Sequence, residues 1–255
     1  MTSTAPSANA RRNSEARAWC RRARISPLWM VAVAFTVRVA YILIAHTYRI
    51  KPVDDYFGFG YEMGRIGRAL ASGRGFADPF GAQTGVTAWE PPLYPLLIAA
   101  VFKVTGVYSA ASALILLTIN SFFSAATCAP IFLIGRKCFS EKVGVWSAWA
   151  WALLPTVMYW SARWVWETSL AALLLTLIFW LTLRMEELPG MSPWMGFGLL
   201  WGVAALVNSS LLSFLPASGL WIVYRRSKFR RQWLAGSLVA AIFFLAGVAP
   251  WLLRN

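Results

Sequence analysis

The fold class that this sequence predicts is all-α: a polytopic membrane helix bundle of about seven transmembrane helices, with interfacial helices in its first outer loop. Three observations predict it. The 255 residues are 58% hydrophobic and only 13% charged, and the mean hydropathy is +0.56. Apolar stretches recur at about 27–47, 109–135, 143–162, 165–184, 193–207, 210–224 and 233–253. Most approach the roughly 20 residues that a helix needs to cross a hydrocarbon core of about 30 Å. Finally, the 24 Lys and Arg residues fall unevenly between those stretches, as the positive-inside rule requires. The net charge of +14 is therefore read as topology rather than as a nucleic-acid footprint. Fifteen tryptophans agree with a membrane protein.

The elements follow in chain order. Residues 1–26 are polar and arginine-rich with no apolar core, and read as a cytoplasmic basic tail rather than a cleavable signal peptide. The first span, 27–47, carries Arg38 between VAFTV and VAYIL. An arginine there costs roughly 2.5–3.5 kcal/mol on insertion scales, so it needs a polar partner. It either faces an internal site or pairs with a helix dipole or carbonyl. His46, at the end of that span, reads as an interfacial residue. An outer loop over 48–91 follows.

Residues 92–105, PLYPLLIAAVFKVT, are apolar but short, about 21 Å as a helix. Charge decides their placement. With the N-terminus inside and 92–105 not spanning, fifteen of the 24 basic residues fall on the cytoplasmic side, including the clusters at 136–142 and 225–231. With 92–105 spanning, both clusters fall outside, against the rule. The segment is therefore expected as an interfacial or re-entrant helix. The short fifth and sixth spans, joined by Asn208-Ser209, are expected to form a hairpin. Cys20, Cys128 and Cys138 follow no metal-ligand or disulfide spacing.

This topology gathers six of the ten acidic residues on the extracytoplasmic side: Asp54, Asp55, Glu62, Asp78, Glu90 and Glu167. Ionisable residues that a hydrophobic chain concentrates on one face point to chemistry or cation binding there. Within the loop, Phe59, Met63, Ile66 and Leu70 recur at helical spacing, predicting a surface helix over 56–71 with Arg65 and Arg68 on its polar side. Gly73, Gly75 and Pro79 break it, and a Gly-rich stretch runs on to Pro91-Pro92, suited to gating a site or merely to connecting. Glu167 opens the fourth span one turn after Arg163. It serves either as an N-terminal charge match or as a group of the outer cavity.

Several motifs carry a family resemblance: GRALASGRGFADPF at 67–80, TAWEPPLYPLLIAAVFKVTG at 87–106, LPTVMYWSARWVWETSL at 154–170, GLLWGVAALVNSSLLSFLP at 198–216, and the closing APWLLRN. In order and spacing they resemble membrane glycosyltransferases of the GT-C class. The match is with glycosyltransferase family 39, which includes protein mannosyltransferases and lipid A aminoarabinose transferases. The resemblance implies a catalytic acidic residue in the first outer loop. Counted back from GRALASGRGF, the family's acidic pair falls on Phe59-Gly60, a departure from the pattern. The nearest acids are Asp55, taken first, then Asp54 and Glu62. Glu167 corresponds by position to an acid of the second outer loop. The family also runs on into further helices, so a missing C-terminal part is expected.

The resemblance implies transfer of a sugar from a polyprenyl-phosphate donor to an acceptor hydroxyl or phosphate, with inversion, on the extracytoplasmic face of a bacterial inner membrane. The donor's leaving phosphate calls for a cation, drawn from Arg65, Arg68, Arg74, Arg163 and Lys51. A divalent metal ion, Mg or Mn, is the alternative, and no other cofactor is expected. Glu90 and Glu167 are expected to bind substrate. The partners are then the lipid-linked donor, membrane lipids and a protein, lipid or glycan acceptor, with no nucleic acid. The rival readings are a transporter or lipid flippase, disfavoured by the lack of an internal repeat, and a non-catalytic membrane assembly protein.

Overall fold

The computed structural model describes residues 26–226 and 230–255, apart from the side chains of Asp54, Arg226 and residues 230–232. The basic tail expected over 1–26 thus lies almost wholly outside the described residues. Helix α1 (Pro27–Ile44) starts with proline at its first position, where the absent N–H costs nothing. A 3₁₀ turn (Val53–Phe59) and α2 (Glu62–Ala71) occupy the first loop, and α3 (Leu93–Thr105) follows it. Ser109 caps α4 (Ala110–Ala126) by accepting from the Ser112 N–H, and α5 (Cys128–Cys138) continues from it. Ser140 caps α6 (Glu141–Leu153) in the same way through Val143. Then come α7 (Pro155–Arg163), α8 (Thr168–Arg184), α9 (Ser192–Val207), a 3₁₀ turn (Ser209–Phe214), α10 (Leu215–Arg226) and α11 (Arg230–Arg254). Among the described residues the secondary structure is helical, apart from an isolated bridge between Ala77 and Val86.

Among the described residues, three segments are long and apolar enough to cross a membrane: Pro27–Ile44, Ala110–Cys138 and Trp233–Arg254. The apolar helices α3, α8 and α9 are shorter. Two expected elements differ in form. The stretch 143–162 is not one helix but α6 and α7, parted at Leu154, because Pro155 has no N–H to continue the ladder. The helix expected over 56–71 is split by Gly60 and Tyr61. Gly60 has φ +85°, and a Cβ there would meet the Val165 carbonyl at 2.3 Å.

The bundle has two polar ends. At one, Lys137 and Arg184 pair with Glu187, and Arg225 pairs with Glu186; this is the basic end. The other is the loop end. There Ile42 of α1, Phe59, Phe102 of α3, Leu116 of α4 and Val165 share one buried cluster. The chain therefore leaves α1 and enters α4 at the same end, with α2 and α3 packed together in between. A second core joins α8 to α11 around Trp194, Trp201 and Ile222. A third, around Met30, Phe132 and Ala148, binds α1 to α5 and α6. Gly135 and Gly144 let α5 and α6 meet backbone to backbone, since a Cβ on Gly135 would stand 2.7 Å from the Gly144 Cα.

Candidate functional site at the loop end

The loop's first acidic residues lie in the 3₁₀ turn. Asp55 and Tyr56 both have positive φ, +55° and +57°, conformations that cost energy outside glycine and that cluster at functional loops. Asp55 forms an ion pair with Arg65 of α2, whose Nε donates to Asp55 Oδ2 at 2.6 Å. Arg65 Nη1 donates to the Pro79 carbonyl at 3.1 Å, and its guanidinium stacks 4.0 Å from the Tyr61 ring centre. Arg65 is 5% exposed, whereas the Asp55 side chain is 42% exposed. The expected wet face of α2 is thus corrected. Arg65 is turned inward, because α2 packs on α3 and the loop closes over it, with Gly81 next to the pair. The side chain of Asp54 lies outside the described residues.

Arg74 and Asp78 build the loop. Their ion pair is 3.2 Å long. Asp78 also accepts from the Gly85 N–H at 3.0 Å and returns its own N–H to the Gly85 carbonyl, while the Thr87 N–H donates to Phe76. The result is a short hairpin over 76–87. Arg254, at the end of α11, clasps both of its arms: Nη2 donates to the Phe76 carbonyl at 3.0 Å and Nη1 to the Thr87 carbonyl at 2.9 Å. The same guanidinium lies over the rings of Phe76 and Trp251.

Three further carboxylates act on one another through space. Glu90 follows the hairpin, Glu62 opens α2, and Glu167 precedes α8. Burial, and then the charges of Glu167 and Glu62, push the Glu90 carboxyl up to about 7. Polar bonds buried among the helices frame this set. Asn208, at the end of α9, donates to Glu167 Oε1 at 3.1 Å. Tyr94 of α3 donates to Asn120 Oδ1 at 2.7 Å. Asn120 of α4 in turn donates to the carbonyls of Trp164 and Trp166. The segment leading into Glu167, and the Glu167 carboxylate itself, are thereby held.

The remaining basic candidates separate. Arg68 lies near the Tyr108 ring, and its buried Nε has no hydrogen-bond partner among the described residues. Arg163 lies over the Tyr159 ring and, with Lys51, lines a different cavity near the end of α1. Among the described residues no three His, Cys, Asp or Glu side chains come close enough to hold a metal ion.

The structure thus separates an Asp55–Arg65 pair from a Glu62–Glu90–Glu167 set, and turns Arg74 and Asp78 to loop architecture. Sequence reasoning passed over Tyr94, Asn120 and Arg254 and took Asn208 for a turn residue. Asn120 had a usable signal, a polar side chain inside an apolar span. Arg254 had none, since its partners are backbone carbonyls 167 and 178 residues away.

Residues 89–253 match a family model described as dolichyl-phosphate-mannose-protein mannosyltransferase, more than half of the chain. The match takes in Glu90, Tyr94, Asn120, Arg163, Glu167 and Asn208. No curated protein and no solved structure matches the chain.

Proposed function

This chain belongs to the dolichyl-phosphate-mannose-protein mannosyltransferase family, and we propose that it moves a sugar from a polyprenyl-phosphate donor to an acceptor at the Glu62–Glu90–Glu167 set. The family is one of membrane glycosyltransferases of the GT-C type, so the chain is such an enzyme; the donor, the face and the residues are our reading. The observation that carries the reading is the Glu167 carboxylate, held by Asn208 on a segment fixed by Asn120, with the half-buried Glu90 within reach of its charge and away from the basic end. By the positive-inside rule the basic end faces the cytoplasm of a bacterial inner membrane, and the loop end faces outward. Nucleotide sugars are absent there, which favours a lipid-borne donor.

The chemistry is a single displacement. Glu90 takes the proton of the acceptor hydroxyl as its oxygen attacks the anomeric carbon. The bond from that carbon to the phosphate oxygen breaks, and the lipid phosphate leaves with the electron pair, inverting the centre. A base is most effective when its pKa lies near the working pH, which favours Glu90. Burial first, and then the charges of Glu167 and Glu62, keep it there, and those two carboxylates are available to the sugar hydroxyls. Asp55 is the second reading, favoured by its half-exposed carboxylate and strained backbone. Its ion pair with Arg65 argues for a strut under the loop instead.

Transfer assays in proteoliposomes, with a polyprenyl-phosphate sugar donor, test the choice. Glu90→Gln should lower turnover by roughly 10²–10⁴-fold while donor binding survives. Near-normal turnover in Glu90→Gln with a dead Asp55→Asn or Glu62→Gln variant would move the base to that residue. Donor translocation with no sugar transferred would favour the flippase reading.

A further inference from the structure

The run from α6 to α8 is broken twice, at Leu154–Pro155 and again over Trp164–Glu167. A helix break leaves backbone carbonyls without the N–H groups that a continuing helix would supply, and buried ones must find other donors. At the second break one side chain serves two of them. Asn120 of α4 donates through Nδ2 to the Trp164 carbonyl at 2.9 Å and to the Trp166 carbonyl at 3.2 Å. Carbonyls only accept, so the amide fits only one way round. Its Oδ1 therefore faces Tyr94 of α3, whose hydroxyl donates to it at 2.7 Å. Tyr94 and Asn120 are each 1% exposed, and every hydrogen that the two polar groups carry is used.

Satisfying a break takes only donors to its carbonyls. Arg38 supplies them at the first break, to Trp151 and Ala152. The bond to Tyr94 adds a tie between α3 and the second break. Tyr94 lies four residues after Glu90, and Pro91 and Pro92 between them have fixed φ, so there is little slack between carboxylate and tyrosine. Glu167 follows Trp166 directly, and its carboxylate accepts from Asn208. Within the same segment the Val165 N–H donates to the Gly58 carbonyl at 3.0 Å. Tyr94, Leu117 of α4 and Val165 share one buried cluster, so the tie is packed as well as bonded.

We propose that Asn120 and Tyr94 are positioning residues for sugar transfer: their bond holds the Glu90 and Glu167 carboxylates at the separation the reaction uses, and neither residue touches substrate. The inference deepens the transferase reading and rests on it. Groups displaced by about an ångström from a reacting centre lose up to about 10² in rate, whereas affinity set by other contacts survives.

Transfer kinetics of the full chain in proteoliposomes, with a polyprenyl-phosphate sugar as donor, test the proposal. Tyr94→Phe keeps the ring and removes the hydroxyl; Asn120→Leu keeps the volume and removes the amide. Each should lower kcat about tenfold or more while the donor KM stays within about twofold. The double variant should lose no more than Asn120→Leu alone, because both changes cut the same tie. Hydrogen exchange should show the Val165 N–H losing protection in Asn120→Leu. Arg38→Leu makes the same lesion at the other break and is the control. It should lower the unfolding midpoint and keep kcat at temperatures below unfolding.

Unchanged kcat in Tyr94→Phe overturns the proposal. So does a rise in KM in place of a loss in kcat, which would mean direct contact with substrate. Losses that multiply in the double variant, or an equal loss of kcat in Arg38→Leu, overturn it too. A Val165 N–H protected as before in Asn120→Leu shows that the tie does not hold the segment, whatever the transfer assay reads. Tyr94→Phe disturbs the packing least and decides the matter by itself should Asn120→Leu fail to fold. The base assignment fails separately. Near-normal turnover in Glu90→Gln beside a slow Tyr94→Phe sinks the Glu90 chemistry and leaves the positioning of Glu167, whereas a dead Glu90→Gln beside a normal Tyr94→Phe sinks the positioning claim alone.

Discussion

Arg38 Nη1, on α1, donates to the carbonyl of Ala152 at the end of α6, 2.9 Å away. Nη2 donates to the Trp151 carbonyl at 3.3 Å, Nε to Ser124 Oγ at 3.2 Å, and Nη1 again to Ala34 at 3.0 Å. The side chain is fully buried. Pro155 cannot donate to the carbonyl four residues before it, which is that of Trp151. Arg38 takes over that duty inside the bundle. Of the two readings open for this arginine, the carbonyl-pairing one describes it, at the α6–α7 break.

Arg38→Leu should therefore destabilise the protein by about 1–3 kcal/mol for each buried carbonyl left without a donor. Thermal unfolding of the purified protein in detergent measures it. Adding Pro155→Ala returns an N–H to the Trp151 carbonyl and should recover part of the loss. A Pro155→Ala change that makes the Arg38 variant still worse would count against the capping role.

The raised Glu90 carboxyl makes stability depend on pH. Its folded pKa, about 7, stands above its ordinary 4.5, so the folded state holds the proton more tightly than the unfolded chain. Stability from this group is then fullest below the ordinary value and is lost as pH rises through about 7. Comparing unfolding midpoints of the wild type and Glu90→Gln between about pH 5 and about pH 8 isolates it, and the wild type should lose ground toward the alkaline side. Transfer activity should run the other way, rising to a plateau as Glu90 loses its proton.

Arg254→Ala should free the 76–87 hairpin from α11. The N–H groups of Asp78 and Thr87, both bonded across the hairpin, should lose protection in hydrogen exchange. The Asn208 N–H, bonded to Ala204 within its own element, should not. Because Glu90 follows the hairpin closely and acts in the chemical step, kcat should fall more than KM rises. Arg254→Lys should restore little, since one ammonium does not replace a planar fork that bonds two carbonyls and stacks on two rings.

Asp55→Ala leaves the Arg65 guanidinium, 5% exposed, without its carboxylate, and should cost roughly 1.5–3 kcal/mol. Arg65→Met should cost as much again or more, since it also removes the bond to Pro79 and the stack on Tyr61. The two losses should not add in the double variant. Additive losses in unfolding measurements would mean that the pair contributes nothing as a pair.

Composition and hydropathy alone were enough for an all-helical membrane protein, because apolar length is a one-dimensional property. Charge spacing was likewise enough to separate the loop end from the basic end, and motif order was enough for the family, now matched over residues 89–253. What tertiary structure decided was which charges face which. Arg65 and Arg163 are alike as sequence, two arginines near carboxylates in segments at the loop end. Packing of α2 on α3 buries the first against Asp55, while the second, at the end of α7, lines a separate cavity near the end of α1. Glu62, Glu90 and Glu167 lie too far apart in the chain for any local pattern to join them. They share a field because α2, α3 and α8 converge at one end of the bundle, where burial strengthens each charge's effect on the next.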